Sequence, residues 1–396
     1  MAATNFAEAF KGRYQDILTK TLVGMKIAST QLKSDLKFGD TVHRFILDVS
    51  GVRVRDITRY TDRTVDALSD SDETLVINKQ KGLTFPIDSW DKLQAGPLQL
   101  AETAGERVAF KLKQYIDGDI FNEVTNAANT VDSGDIAGTA GNPIALSTSN
   151  AIQSFATLQA KARALNIEDN GNLSIVIDPY HASIIYQTII GKELALSEST
   201  FKNGYSGNVL GWKIYVSNNL KCTNTLTVAT QATANDTVTI AGVVFTFVTP
   251  IGVTAGNVLI GASATASRQN LIAAINGAAG AGTTYVEVSA ANRAKLDAAR
   301  ISAVEASSTA IVTGYGRFTF AETLTAGADI WTANGAIVHC FAGKPGSIEL
   351  VLQQEVGTEL RDESKQKTTN VLVDALYGLK TFADGAATMI DFKLAF

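Results

Sequence analysis

Three histidines, two cysteines and one acidic run are the side chains of this 396-residue sequence best equipped for chemistry, and their spacing limits what they could do. A general base or a metal ligand works only beside a second group, yet His43, His181 and His339 stand far apart and share no motif. His181 follows Asp178-Pro179-Tyr180, where helix capping or hydrogen bonding at a helix start is the expected role. Cys222 and Cys340 lack a C-x-x-C spacing and read as small core residues that stay thiols in a reducing cytosol. Asp70, Ser71, Asp72 and Glu73 could approach a calcium ion, but the spacing does not match a calcium loop, so a solvated loop is expected. The GKPGS run at 343–347 lacks the phosphate-loop spacing, and Asn235-Asp236-Thr237 is a glycosylation sequon with meaning only in a secreted chain. The expectation is therefore no catalytic, cofactor-binding or metal site.

If single residues do not carry the function, the elements must. With 45% hydrophobic and 18% charged residues the chain can bury two or three cores, and its net charge of −5 argues against a main affinity for a phosphate backbone. The first residues, MAATNFAEAFKGRYQ, lack the apolar run of about 7–15 residues that a signal peptide requires. No stretch approaches the roughly 18 apolar residues of a membrane span, so a soluble cytosolic product is expected.

Residues 1–40 read as an arm with some helix. From Asp40, TVHRFILDV and GVRVRDITRY place β-branched and aromatic residues among charges, as half-exposed strands do, with Ser50-Gly51 as a turn. ETLVINK adds a strand and LTFPIDSWDKLQAG closes the segment, so 41–95 reads as a long two-stranded excursion that must lie on something else, because an isolated ribbon is marginal in water. Pro97 suits a first helical turn, and Leu100, Ala104, Val108, Leu112, Tyr115 and Ile116 then recur at helical spacing along a spine helix within 96–144. Residues 145–222 give a helix from about Ser147 that DNGN ends, the strand–turn–helix unit LSIVIDPYHASIIYQTI, and the strand GNVLGWKIYVSNNL. Strands alternating with helices imply a mixed sheet, hence an α+β chain.

At Thr223 the composition shifts. Residues 223–335 hold only 11 of the 73 charged side chains and read as an inserted module, β-rich or α+β. In it, DTVTIAGVVFTFVT predicts a hairpin on Ala241-Gly242, SRQNLIAAINGA a short helix, and TTYVEVSA, STAIVTG and GRFTFAETL further strands. The earlier character resumes over 336–396. Insertions need close entry and exit points, so Cys222 and Cys340 are expected as neighbours on adjoining strands.

The order of these elements resembles the major capsid proteins of tailed phages: the arm, the two-stranded loop closing in IDSWD, the spine helix ending in YIDGDIF, the helix followed by LSIVIDPYHASII, GNVLGWKIYVSNNL, and Tyr377-Gly378 before the last strands. The resemblance covers about 280 residues outside the module. It implies the capsid fold shared by tailed phages and herpesviruses, with 41–95 as an extended loop over a neighbouring subunit. Residues 96–144 would form the peripheral domain with its spine helix, and 145–222 with 336 to about 350 most of the axial domain, interrupted by an insertion domain at 223–335; 336–396 would hold that axial return and the final peripheral-domain strands. It further implies self-assembly into hexamers and pentamers of an icosahedral head around double-stranded DNA, a virion protein assembled in the host cytoplasm and no enzyme. The partners implied are neighbouring capsomers, a portal protein, a separate scaffolding protein, a possible decoration protein and weakly held DNA, with no membrane. Register between subunits would come from Arg53, Arg55, Arg59, Arg63, Lys79 and Lys81 against Asp56, Asp62, Asp66, Asp70 and Asp72, and deleting 52–84 would leave a folded monomer that fails to assemble. A nanocompartment shell protein and a phage tail or decoration protein are the alternative readings.

Overall fold

Period-two runs form strands only where a partner strand is within reach, and in this chain the partners are mostly remote in sequence. A computed structural model describes residues 23–32, 39–48, 51–63, 65–88, 90, 100–167, 172–191, 208–209, 211–332, 335–363 and 368–396. Most of the expected arm, the Pro97 helix start and most of the DNGN stop lie outside the described residues. The described chain divides into two compact units: one takes in 28–116 and 346–385, the other the residues up to Ile27, 117–345 and 386–396.

In the first unit Thr41–Asp48 and Ser69–Val76 pair antiparallel, Thr41 opposite Val76 and Asp48 opposite Ser69. The stretch 51–60, expected as a strand, is irregular instead. It alternates apolar and charged residues as a strand would, but no strand among the described residues pairs with it, and an unpaired backbone gains nothing by extending. A second sheet runs Ala28–Ser29, Ile348–Glu363, Thr368–Lys380, Lys79–Asp88. Val42, Leu75, Ile77, Val351 and Phe382 form a buried cluster, so the ribbon is rooted in its own unit. Arg44 reinforces the root: it grips Asp384 through both nitrogens at 3.0 and 2.5 Å and lies 5.0 Å from the Phe382 ring centroid.

Gly378 shows why the root tolerates no side chain there. A Cβ added to it would stand 2.8 Å from Leu75 Cδ2, 2.8 Å from the Val76 carbonyl oxygen and 3.1 Å from Ile77 Cα. Gly378→Val is expected to destabilise the protein by about 2–3 kcal/mol, as overpacking against backbone does, with Gly378→Ala milder; urea unfolding of the two variants reads the order.

The second unit holds a nine-stranded mixed sheet. Its path is Ser302–Ala306, Thr309–Tyr315, Lys221–Thr227, Ile337–Gly343, Ser174–Ile177, Trp212–Val216, Asn208–Val209; Met389–Ala395 pairs with Ile337–Gly343, and Asn129–Val131 with Met389–Ala395. Ile175, Val176 and Ile177 are fully buried, which is why their run is continuously apolar rather than alternating. Pro179–Gly191 follows as the predicted helix, and Phe155 from helix Ala151–Ala164 packs edge-on to Phe392 at 6.1 Å.

The border expected at Thr223 is not a border in the sheet. Thr223 lies within strand Lys221–Thr227, which pairs with Ile337–Gly343 on one side and Thr309–Tyr315 on the other, so three strands of the supposed module extend the sheet around it. Composition reports side-chain polarity, whereas the sheet is built by backbone pairing. Only Thr237–Ile240, Val243–Val248, Asn257–Leu259 and Phe320–Glu322 make a separate sheet, of four strands. Its hairpin turns on Ala241 and Gly242, both at positive φ (52° and 72°), the two-residue connection that matches strand twist. TTYVEVSA, expected as a strand, makes only isolated bridges at Tyr285, and Ser289 then caps the helix Ala290–Ala298 by accepting from the Asn292 N–H.

Cys222 stands opposite Val338 and Cys340 follows two residues on, so the thiols are diagonal neighbours on adjoining strands, both buried and outside any disulfide. Burial, helped by the Asp178 and Asp391 carboxylates, pushes the Cys340 thiol well up.

Candidate assembly surface

The segment between the ribbon strands carries many of the exposed apolar side chains of the first unit; Phe45, Val76 and Trp90 are exposed outside it. Val54 and Tyr60 are as exposed as in an isolated peptide, at 104% and 103%, and Val65 reaches 89%; Ile57 and Leu68 are bare too. Scattered exposed apolar residues are ordinary, but several on one 18-residue loop, 51–68, form a patch of the kind that marks an interaction surface.

One ion pair holds this loop. Asp66 accepts from both terminal nitrogens of Arg55 at 2.7 and 2.8 Å and from the Arg53 backbone N–H at 3.0 Å. The Arg55 hydrogen bonds, then the Arg53 N–H, hold the Asp66 carboxyl below its ordinary range, and Asp66 raises the Arg55 guanidinium in turn. The sites singled out from sequence thus separate. Arg53, Arg59, Arg63, Asp56 and Asp62 sit exposed on the loop, whereas Asp70 lies on strand Ser69–Val76. Lys79 and Lys81 lie on strand Lys79–Asp88, turned toward the rings of Tyr377 and Tyr115 at 6.0 and 5.4 Å. The acidic run is no solvated loop either: it lies in the strand, Asp72 meeting His43 Nδ1 at 2.7 Å and Glu73 accepting from the Ala383 N–H. The apolar residues of the loop, not its charges, are what the charge pattern of the sequence concealed; their alternation between charges was the available signal.

Chemistry elsewhere is bound into the second unit. Thr223 Oγ1, His339 and Asp391 form a hydroxyl–imidazole–carboxylate line, with 2.9 Å from Thr223 to His339 Nε2 and 2.8 Å from Nδ1 to Asp391 Oδ2. Such a line can activate a nucleophile, but an acyl-transfer site also requires free N–H donors for the oxyanion. Strand Lys221–Thr227 is paired on both edges at Thr223, so its backbone serves the sheet, and the line ties three adjacent strands together. Lys221, whose amine burial lowers, donates to Thr125 Oγ1 at 3.1 Å. His181 joins the Asp178 carboxylate through Nδ1 and stands 2.9 Å from the Ala395 carbonyl through Nε2, fixing the final strand to the helix start as expected. Among the described residues no group of three or more His, Cys, Asp or Glu could hold a metal ion, and no helix is long and apolar enough to cross a membrane.

No family model matches the chain, and no curated protein matches it. Solved structures do. A chain of the capsid of cyanophage P-SCSP1u superposes with a TM-score of 0.54 at 10% identity, covering 98% of this chain and 92% of that one. A chain from Mycobacterium phage Che8 gives 0.50 at 14% identity over 96% and 95%. A chain of the mature capsid of bacteriophage PhiM1 gives 0.50 at 10% over 97% and 91%. The chain therefore has the α+β fold of phage capsid structures, carried through nearly its whole length.

Proposed function

We propose that this chain is the major capsid protein of a tailed phage, a subunit that closes into hexamers and pentamers of an icosahedral head around double-stranded DNA. The observation that carries the reading is the coverage: likeness to phage capsid chains spans 97–98% of this chain and more than nine tenths of each of the others. The bare loop 51–68 supports it, because a subunit that works in a shell needs large interfaces rather than a pocket. Neighbouring capsomers, a portal protein and a separate scaffolding protein are the partners of this reading, a decoration protein and weakly held DNA its further contacts, and no catalytic step belongs to it. Negative-stain microscopy of the protein, expressed alone and with its genomic neighbours, should show closed shells of uniform size. Rings or tubes would assign it to a tail, and shells filled with an enzyme instead of DNA in infected cells would assign it to a nanocompartment; either overturns the proposal.

A further inference from the structure

Where strand Lys221–Thr227 runs past the start of strand Ile337–Gly343, the second unit leaves an open cleft of about 510 Å3, within the size range of ligand sites. Its aromatic wall is a cluster: Phe320 lies 4.7 Å from Phe318, 4.7 Å from Trp331 and 6.2 Å from Phe396, ring centre to ring centre. Trp331 is fixed in place by donating its Nε1–H to the Ala321 carbonyl at 3.0 Å. Arg317, exposed at the rim, lies over the rings of Tyr180 and Phe396, with centroids 4.2 and 4.8 Å from its guanidinium carbon, and its Nε is 3.4 Å from Asp178.

The second observation lies in the floor. Asn224 is only 5% exposed and lines the cleft. Its Oδ1 accepts from the Thr225 N–H at 2.9 Å, while its Nδ2 has no partner among the described residues. Solvent reaches this donor through the cleft, so an acceptor on a ligand can take its hydrogen in place of water.

These groups sort the possible ligands. Aromatic rings and an arginine around a concave patch are the composition of a protein–protein hot spot. The rim cation selects an anionic neighbour, and the single amide donor matches one backbone carbonyl. A neutral sugar needs hydrogen bonds around its ring edge, which the cleft supplies poorly, since the Thr332 hydroxyl is already given to the Thr225 carbonyl. We propose that this cleft docks an acidic segment of a partner polypeptide through one aromatic or large aliphatic side chain. That side chain packs on Phe320 and Trp331, the segment's carbonyl accepts from Asn224 Nδ2, and a flanking carboxylate meets Arg317.

Fluorescence anisotropy with the full chain tests it, using labelled nine-residue peptides with a central Phe between aspartates, the same Phe between lysines, and Ala between aspartates, with maltohexaose as a competitor. The Asp-flanked Phe peptide should bind best and resist maltohexaose. Arg317→Gln should weaken it roughly tenfold, the usual worth of a hydrogen bond to a charged group, and Arg317→Glu should turn the preference toward the Lys-flanked peptide. A reversal of preference cannot come from a misfolded variant, and circular dichroism checks both. Affinity indifferent to flanking charge and to Arg317, displacement by maltohexaose, or no binding of any peptide at millimolar concentration would each overturn the proposal.

Discussion

Removing residues 52–66 and joining Gly51 to Ala67 should leave a folded protein, with unchanged thermal unfolding, that forms no closed shells. The ends are already together: a Cβ built on Gly51 would lie 3.7 Å from the Ala67 carbonyl oxygen, so a short turn can replace the loop. What is lost is contact surface. Val54, Ile57, Tyr60 and Val65 are all exposed, and burying such side chains at an interface is worth about 1.5–3 kcal/mol each, so roughly 6–12 kcal/mol of apolar contact per subunit disappears. The larger deletion of 52–84 suggested by the sequence is a poorer experiment, because it removes Leu75 and Ile77 from the core of the unit and cuts into strand Lys79–Asp88. Sedimentation and microscopy read the outcome, and normal shells from the shorter deletion would remove the loop from the assembly surface.

Asp117→Ala should be the most damaging single substitution among those discussed. This buried carboxylate, in the YIDGDIF stretch near the end of helix Leu100–Asn122, accepts from the Val23 N–H at 3.1 Å, the Gly24 N–H at 2.5 Å and Asn219 Nδ2 at 2.7 Å. Truncation strands three donors at about 1–3 kcal/mol each, so about 3–9 kcal/mol in all, a large part of the 5–15 kcal/mol that holds a typical domain. Its neighbours cannot compensate. Asp119 is committed to Arg300, whose guanidinium stacks 4.3 Å from the Tyr315 ring and lies where a Cβ on Gly118 would fall, 2.7 Å from Nη1. Asp117→Asn should be intermediate, because its amide would face that of Asn219. The exchange Asp117→Asn with Asn219→Asp, which restores a donor against an acceptor, should recover most of the loss. Urea unfolding of the unassembled variants gives the order, and an exchange variant no better than Asp117→Asn would show that this hydrogen bond does not carry the effect.

The elements legible in advance were those whose cause is local. The run Ser174–Ile177 followed by Pro179, and the Ala241-Gly242 turn between two β-branched runs, carry their structure in a few consecutive residues. So does the helix Leu100–Asn122, where Leu112 and Ile116 on the periodic stripe are buried while Lys111 and Lys113 are exposed. The order of such elements also made the capsid-like fold recognisable. The failures were non-local. The alternation in 51–60 promised a strand that finds no partner among the described residues, and the poor charge of 223–335 promised a border where Thr223 in fact pairs with Ile337 and Thr313.

The candidate surface divides the same way. By itself the sequence determined that no spaced catalytic or metal motif was present and that a charged, β-prone excursion left the main body after Asp40, and its YIDGDIF and Tyr377-Gly378 carried a resemblance to phage capsid proteins. Tertiary structure decided the rest: that Asp66 takes Arg55, that Lys79 and Lys81 face tyrosines of their own unit, and that Asn224, Arg317, Phe320, Trp331 and Phe396 share one cleft. The reason is physical. Helices and tight turns close hydrogen bonds among residues a few positions apart, so their pattern is written in short windows, whereas sheet register joins residues as remote as Ala28 and Ile348, and the cleft joins Asn224 to Phe396, separations that no window contains.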